Sequence, residues 1–302
     1  MTYRILLIIS LVASCESKDP AEIETDSEPV FEIQKIADLD PQLTESSGAL
    51  FLNGKLYSHS DMGGVANLLQ LNLDGTINET ISYQNARVKD WEDIASDDNF
   101  IYIADIGNNL ANRKDLQIFK IAKSQMNNPK AAIETISFSF NDQTDFGNGE
   151  YNKNSYDAEA IAVIEGQMYV FTKDWVKLDT KIYRFSTQAG NYPSDPLTTL
   201  NIGGLVTGAT TTPDGTIVIC GYSPTLSPFV AQLKIIDGLP TMHRKVDITG
   251  MLGTGSQIEG ITYAGKVDGA FTYYLTSEKF TRIIAGQNIE FPANLYELKW
   301  NE

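Results

Sequence analysis

The stretch DWEDIASDDNFIYIADIGNN, residues 90–109, sets six acidic residues around two short apolar runs. Glu92 opens the first run and Asp105 closes the second, so a hairpin between them brings both carboxylates to one end. The opening recurs along the chain. Glu45 starts ESSGALFLNGKLYSHSD, Glu159 starts EAIAVIEGQMYVFTKD and Glu259 starts EGITYAGKVDGAFTYYLTSE, while Thr207 takes the place in TGATTTPDGTIVICGYS. Pairing across each turn without bulges sets Glu45 opposite Asp61 and Glu92 opposite Asp105. It sets Glu159 by Thr172 and Lys173, Thr207 by Tyr222, and Glu259 by Ser277 and Glu278. Oxygen donors in such number suit a hard cation, since calcium takes about six to eight of them. The expected metal ligands are Glu45, Glu92, Asp105, Glu159 and Glu259, and the expected cofactor is calcium or another divalent cation. Asn108, Asn109, Lys173, Tyr222 and Glu278 are the further groups expected to face a ligand. The spacing fits no EF-hand loop, and two histidines, His59 and His243, are too few for a His-rich zinc site.

Two carboxylates about 6 Å apart repel by roughly 3 kcal/mol at an effective dielectric of 20. A cation, the nearby Lys173, Lys279 and Arg282, or backbone N–H groups must offset this. A residue repeated in every unit also commonly clamps unit to unit, so interblade bonding is the competing reading of these glutamates. His59, in LYSHSD beside Asp61, is a candidate general base oriented by that carboxylate. No Gly-x-Ser-x-Gly elbow accompanies it, and nothing identifies a nucleophile. Trp91, Trp175, Tyr222, Tyr151 and Tyr156 fall near the same ends of the runs, where aromatic platforms at a polar rim suit a glycan or a peptide.

The elements that must position these groups are strands. Beyond residue 30 the chain consists of short runs rich in Val, Ile, Tyr, Phe and Thr, separated by Asn-Gly, Asp-Gly and Gly-rich turns. The unit starts at Glu45, Glu92, Glu159, Thr207 and Glu259 are 47, 67, 48 and 52 residues apart, near the period of propeller blades, about 40–50 residues. Third and fourth runs follow each hairpin. The last unit ends at Trp300 after its third run, and VFEIQKIAD near the start can supply the fourth. An all-β propeller of five four-stranded blades is predicted, closed by an N-terminal strand and spanning residues 30–302. Six blades is the rival count. Closure removes two sheet edges. The longest step contains Asn141–Asp157, a polar insertion expected to be an exposed loop.

The N-terminus reads as an address. Arg4, the apolar run Ile5–Ala13 and VAS before Cys15 form a signal peptide over residues 1–14. Its ending resembles a bacterial lipobox, which implies lipidation of Cys15. Residues 15–29 follow as an acidic tether, whose acid-rich start resembles the surface-export signal of Bacteroidota lipoproteins. The expected location is the cell envelope, with the membrane engaged through lipid. Cys220 is then unpaired, as a small buried hydrophobe. A net charge of −16 argues against nucleic acid as a partner.

The EGI at Glu259–Ile261 resembles the strand start of gluconolactonase/regucalcin-like propellers, where a glutamate holds a divalent metal. That resemblance implies Glu259, and more distantly Glu45, as ligands. The repeat as a whole also resembles phytase-like propellers, and DWEDIA with D-x-GNN resembles Bacteroidota lipoproteins. Two functions follow from the residues. One is a binding or scaffold lipoprotein presenting the propeller top to a glycan, protein or small molecule. The other is a metal-dependent hydrolase of a lactone or phosphate ester in the same acidic pocket.

Overall fold

Period-2 runs flanked by residues that tolerate positive φ fold as hairpins. At Asn53 and Gly54 both φ values are positive, 53° and 76°, as a tight hairpin turn requires. The structure, a computed structural model, describes residues 31–301 apart from Met62, 148–149 and Ala285. The signal peptide, Cys15 and the tether lie outside the described residues.

Strand β1 (Phe31–Asp38) precedes blade 1, which comprises β2 (Ser46–Leu52), β3 (Lys55–Ser60), β4 (Asn67–Leu71) and β5 (Ile77–Ser82). Blade 2 is β6 (Trp91–Ser96), β7 (Phe100–Asp105), β8 (Gln117–Ala122) and β9 (Ile133–Phe140). Blade 3 is β10 (Ala158–Ile164), β11 (Gln167–Thr172), β12 (Thr180–Ser186) and, after the short β13 (Gly190–Ser194), β14 (Pro196–Leu200). Blade 4 is β15 (Leu205–Thr211), β16 (Ile217–Tyr222), β17 (Pro228–Ile236) and β18 (Leu239–Asp247). Blade 5 opens with β19 (Ile258–Val267) and β20 (Ala270–Ser277). A separate hairpin of β21 (Phe280–Ile284) and β22 (Gln287–Phe291) intervenes before β23 (Asn294–Trp300). Strand β1 pairs antiparallel with β23, from Phe31 with Trp300 to Asp38 with Asn294, and completes blade 5. The five-bladed propeller closed by its N-terminal strand is therefore the fold.

The core is divided among the blade interfaces. Leu50, Tyr57, Trp91, Ile94 and Phe119 pack between blades 1 and 2, and Tyr102, Ile118, Phe138, Ile161 and Tyr183 between blades 2 and 3. Equivalent clusters fill the other interfaces, so each blade buries both faces and none is stable alone. Strand β13 adds a feature absent from the periodic pattern. It leaves blade 3 and pairs in parallel with β9 of blade 2, from Gly190 with Ile136 to Ser194 with Phe140, while Tyr192 stacks on Phe185 at 5.6 Å.

At the hub the innermost strands approach too closely for side chains. A Cβ on Gly48 would meet the Cα of Asp93 at 2.8 Å, and one on Gly260 would meet the carbonyl carbon of Gly48 at 2.8 Å. Hydroxyl groups bridge these strands. Ser47 donates to the carbonyl of Glu92 at 2.6 Å and Thr207 to that of Ile258 at 2.6 Å. Thr262 accepts from the N–H of Phe51 at 2.8 Å, and Thr210 from that of Tyr263 at 3.0 Å.

Candidate functional site

Each innermost strand carries a bulge where it leaves the hub for the top face. Trp91, not Glu92, pairs with Asp105, and Asp93 pairs with Ala104, so Glu92 is the extra residue. Glu159, Thr207 and Glu259 are skipped in the same way. A bulge re-aims its extra side chain, and Glu92, Glu159 and Glu259 converge on an axial pocket of about 350 Å³. Asn109, Lys173, Tyr222 and Glu278, expected to face a ligand, line it as well, and so does Asp61, expected beside His59.

Four of the expected groups lie outside the pocket wall. The first is Glu45. Ser47, two residues on and followed by a hub glycine, takes the place that glutamate fills in blades 2, 3 and 5. Glu45 stands half-buried beside the mouth, its carbonyl accepting from the N–H of Asp61 at 3.2 Å. Asp105 is fully buried and engaged elsewhere, accepting from the N–H of Asp90 at 3.0 Å, from Arg113 at 3.0 Å and from Gln117 at 3.2 Å. Asn108 is spent on its loop, donating to the carbonyl of Tyr156 at 2.9 Å and accepting from the N–H of Arg113 at 2.9 Å. His59 is buried with neither ring nitrogen hydrogen-bonded, edge-on to Trp91 at 5.5 Å and outside the wall. Burial pushes its imidazole down to about 4, so it is neutral at physiological pH; what keeps it from serving a ligand there is its place outside the wall.

The glutamates carry some bonding between blades: the Ser47 hydroxyl of blade 1 lies 3.5 Å from Glu92 Oε2, and Lys173 of blade 3 lies 3.9 Å from Glu259. Shorter bonds across the hub come from its hydroxyls and from Asp93, a residue not singled out above. Its Oδ2 accepts from the N–H of Ile161 in blade 3 at 2.9 Å and of Ala209 in blade 4 at 3.1 Å, while Oδ1 accepts from Ile94 at 2.8 Å. One carboxylate thus ties three innermost strands. Its signal was present as a second acid directly after the repeated Glu92, on a strand otherwise apolar.

Five carboxylates and two cations share the pocket wall. Lys173 donates to Glu159 at 2.9 Å and lies 3.9 Å from Glu259. Its head also sits over the rings of Trp175 and Tyr222, at 5.2 and 5.4 Å. Burial alone would lower its pKa, but Glu159 and Glu259 more than reverse that and hold it charged. Arg282 is exposed at the rim. The remaining acids crowd one another. Burial, then Glu45, Glu259 and Asp90, push Asp61 up to about 8. Burial followed by Glu159 drives Glu92 well above the usual carboxylate range, and burial followed by Glu259 does so for Glu278. Gln257 bridges Glu259 and Glu278, donating to both. Tyr151 and Asn152, from the long insertion, and Phe280, Thr281 and Arg282, from β21, complete the wall. The Oδ1 atoms of Asp61 and Asn152 are buried and have no donor.

All-oxygen donors suit a hard cation chemically. Their placement does not make a ready metal centre. Among the described residues no three carboxylate, histidine or cysteine groups converge to hold an ion, and the Lys173 ammonium already stands between Glu159 and Glu259.

No protein-family model and no curated relative matches this sequence. Solved structures do resemble it. A luciferin-regenerating enzyme is 12% identical, covers 90% of this chain and 95% of its own, and has a TM-score of 0.51. A gluconolactonase from Xanthomonas campestris is 12% identical over 90% of each chain, with a TM-score of 0.44. A calcium-binding regucalcin from Agrobacterium tumefaciens is 14% identical over 90% of this chain and 96% of its own, with a TM-score of 0.45. The structures this chain resembles thus include gluconolactonase- and regucalcin-like propellers at low identity, and the likeness is one of fold.

Proposed function

We propose that the protein is a binding module of the cell envelope, held to the membrane through lipid on Cys15, whose axial pocket captures a cation. The observation that carries the pocket reading is the imbalance in its wall: five carboxylates face two cations, one of them exposed. Without a ligand these acids relieve their repulsion by retaining protons, as the upward shifts of Asp61, Glu92 and Glu278 describe. A bound cation replaces those protons. Because it binds the folded state alone, it raises the thermal midpoint.

The test is the midpoint of the full-length protein near pH 8, with chelator, with millimolar calcium and with millimolar acetyl-arginine amide. At least one cation should raise it, and Glu92→Gln/Glu259→Gln should remove that rise. Identical midpoints under all conditions would rule out a cation pocket. The hydrolase reading draws on the same wall, since a carboxyl near pKa 8 such as Asp61 can exchange protons at physiological pH. Turnover of a lactone or phosphate ester, lost in Asp61→Asn, would move the protein to that class.

A further inference from the structure

The rim of the pocket differs from its floor. Three wall residues are each followed in the chain by a large apolar side chain turned to solvent. Asn109 is followed by Leu110, Trp175 by Val176 and Arg282 by Ile283, with exposures of 40%, 62% and 76%. Tyr151, itself in the wall, is 66% exposed. These four come from four separate segments: the turns that follow β7 and β11, the insertion, and strand β21. Single exposed apolar residues are ordinary, but a set in which each member lies in, or next in the chain to, the wall of one charged cavity marks an interaction surface. A free metal ion or small amine would leave that apolar ring unused.

The wall already shows how it receives an ammonium. Lys173 is held by Glu159 and roofed by Trp175 and Tyr222, a pairing of charge and ring faces. The buried acceptors of Asp61 and Asn152 without donors offer a second berth for N–H groups. The net charge of −16 steers basic partners toward the molecule.

We infer that the top face docks a polypeptide segment, which inserts one lysine or arginine side chain into the pocket and lays its flanking apolar residues on Leu110, Tyr151, Val176 and Ile283. This rests on the reading of the pocket as a cation site, and it names the carrier of the cation.

The test uses the full-length protein at about pH 8 and four probes, followed by calorimetry. They are an acetylated, amidated Leu-Leu-Arg-Leu-Leu peptide, its citrulline counterpart, a Ser-Ser-Arg-Ser-Ser peptide, and acetyl-arginine amide. The leucine-flanked arginine peptide should bind about tenfold or more tighter than the serine-flanked one, a difference of about 1.4 kcal/mol. The citrulline peptide should lose most of its affinity. Val176→Ser/Ile283→Ser, both at the surface, should cancel the leucine advantage while leaving acetyl-arginine amide unaffected. Equal affinity for leucine- and serine-flanked peptides would overturn the inference and leave the cation pocket standing if acetyl-arginine amide still binds. Equal affinity for arginine and citrulline peptides would overturn it as well. Absence of binding by every basic probe would overturn the inference, and would leave the cation pocket standing only if calcium raises the midpoint.

Discussion

Two sets of buried carboxylates lie along one axis of this propeller and are treated in opposite ways. In the hub, Asp93 receives three backbone N–H groups from three blades. One strand-end higher, the pocket acids face mainly each other, with Lys173 as their one buried cation. Burial pushes both sets toward protonation; at Asp93 three backbone N–H groups oppose it, whereas at Glu92 the neighbouring acids add to it. An ionised group well supplied with donors is a structural bond, whereas acids left short of donors are a standing demand for a ligand.

That contrast can be broken by substitution. Asp93→Ala removes the acceptor for three buried N–H groups and should cost about 3–5 kcal/mol, on ~1–3 kcal/mol for each orphaned group. Urea unfolding would measure it, and a loss below about 1 kcal/mol would mean that the hub does not depend on this bond. Glu92→Gln/Glu259→Gln should act with the opposite sign. Removing like-charge repulsion of roughly 3 kcal/mol per close pair, partly relieved by protonation already, should raise the midpoint of the unliganded protein near pH 8. A fall instead would show these glutamates to be clamps.

Proton linkage sharpens the same division. Asp61 has a pKa near 8 folded and an ordinary 3.8 unfolded. As pH climbs between those values, the unfolded chain releases a proton that the folded pocket retains, so stability falls. His59, about 4 folded and 6.5 unfolded, acts in the other direction but only below about pH 6.5. Between pH 6.5 and 8 the midpoint of the unliganded protein should therefore decline, and Asp61→Asn should flatten the decline. A slope unchanged in that variant would assign the titration elsewhere. A smaller effect is expected at Glu45→Gln: Glu45 adds to the push on Asp61, so the variant should flatten the same decline in part, less than Asp61→Asn does.

The ring was legible because blade count rests on features that repeat: alternating runs, positive-φ turns and an unpaired third strand that only the N-terminal run could complete. The wall was legible where a blade departs from the pattern by charge, as at Lys173, Glu278 and Asp61. Register was the weak point. Pairing Glu92 with Asp105 assumed an unbroken ladder, and the bulge moved Asp105 into the grip of Arg113 while turning Glu92 to the axis. Blade 1 was misaligned by two residues because ESSG offers a glutamate before the serine that occupies the ring. The guide was the glycine that follows Ser47, Thr207 and Glu259 alike, which the crowded hub requires. The hairpin β21–β22 and the parallel strand β13 carry no periodic signal, since each occurs once.

Closure of blade 5 by β1 also fixes a direction. Phe31 pairs with Trp300, which pairs with Phe271 near the turn at Asp268 and Gly269, on the side of the molecule remote from the carboxylate mouth. The ring-closing strand therefore starts, at Phe31, at the end of blade 5 away from the mouth. A probe attached at Phe31 would leave the opening unobstructed, like the mouth of a cup held by its base.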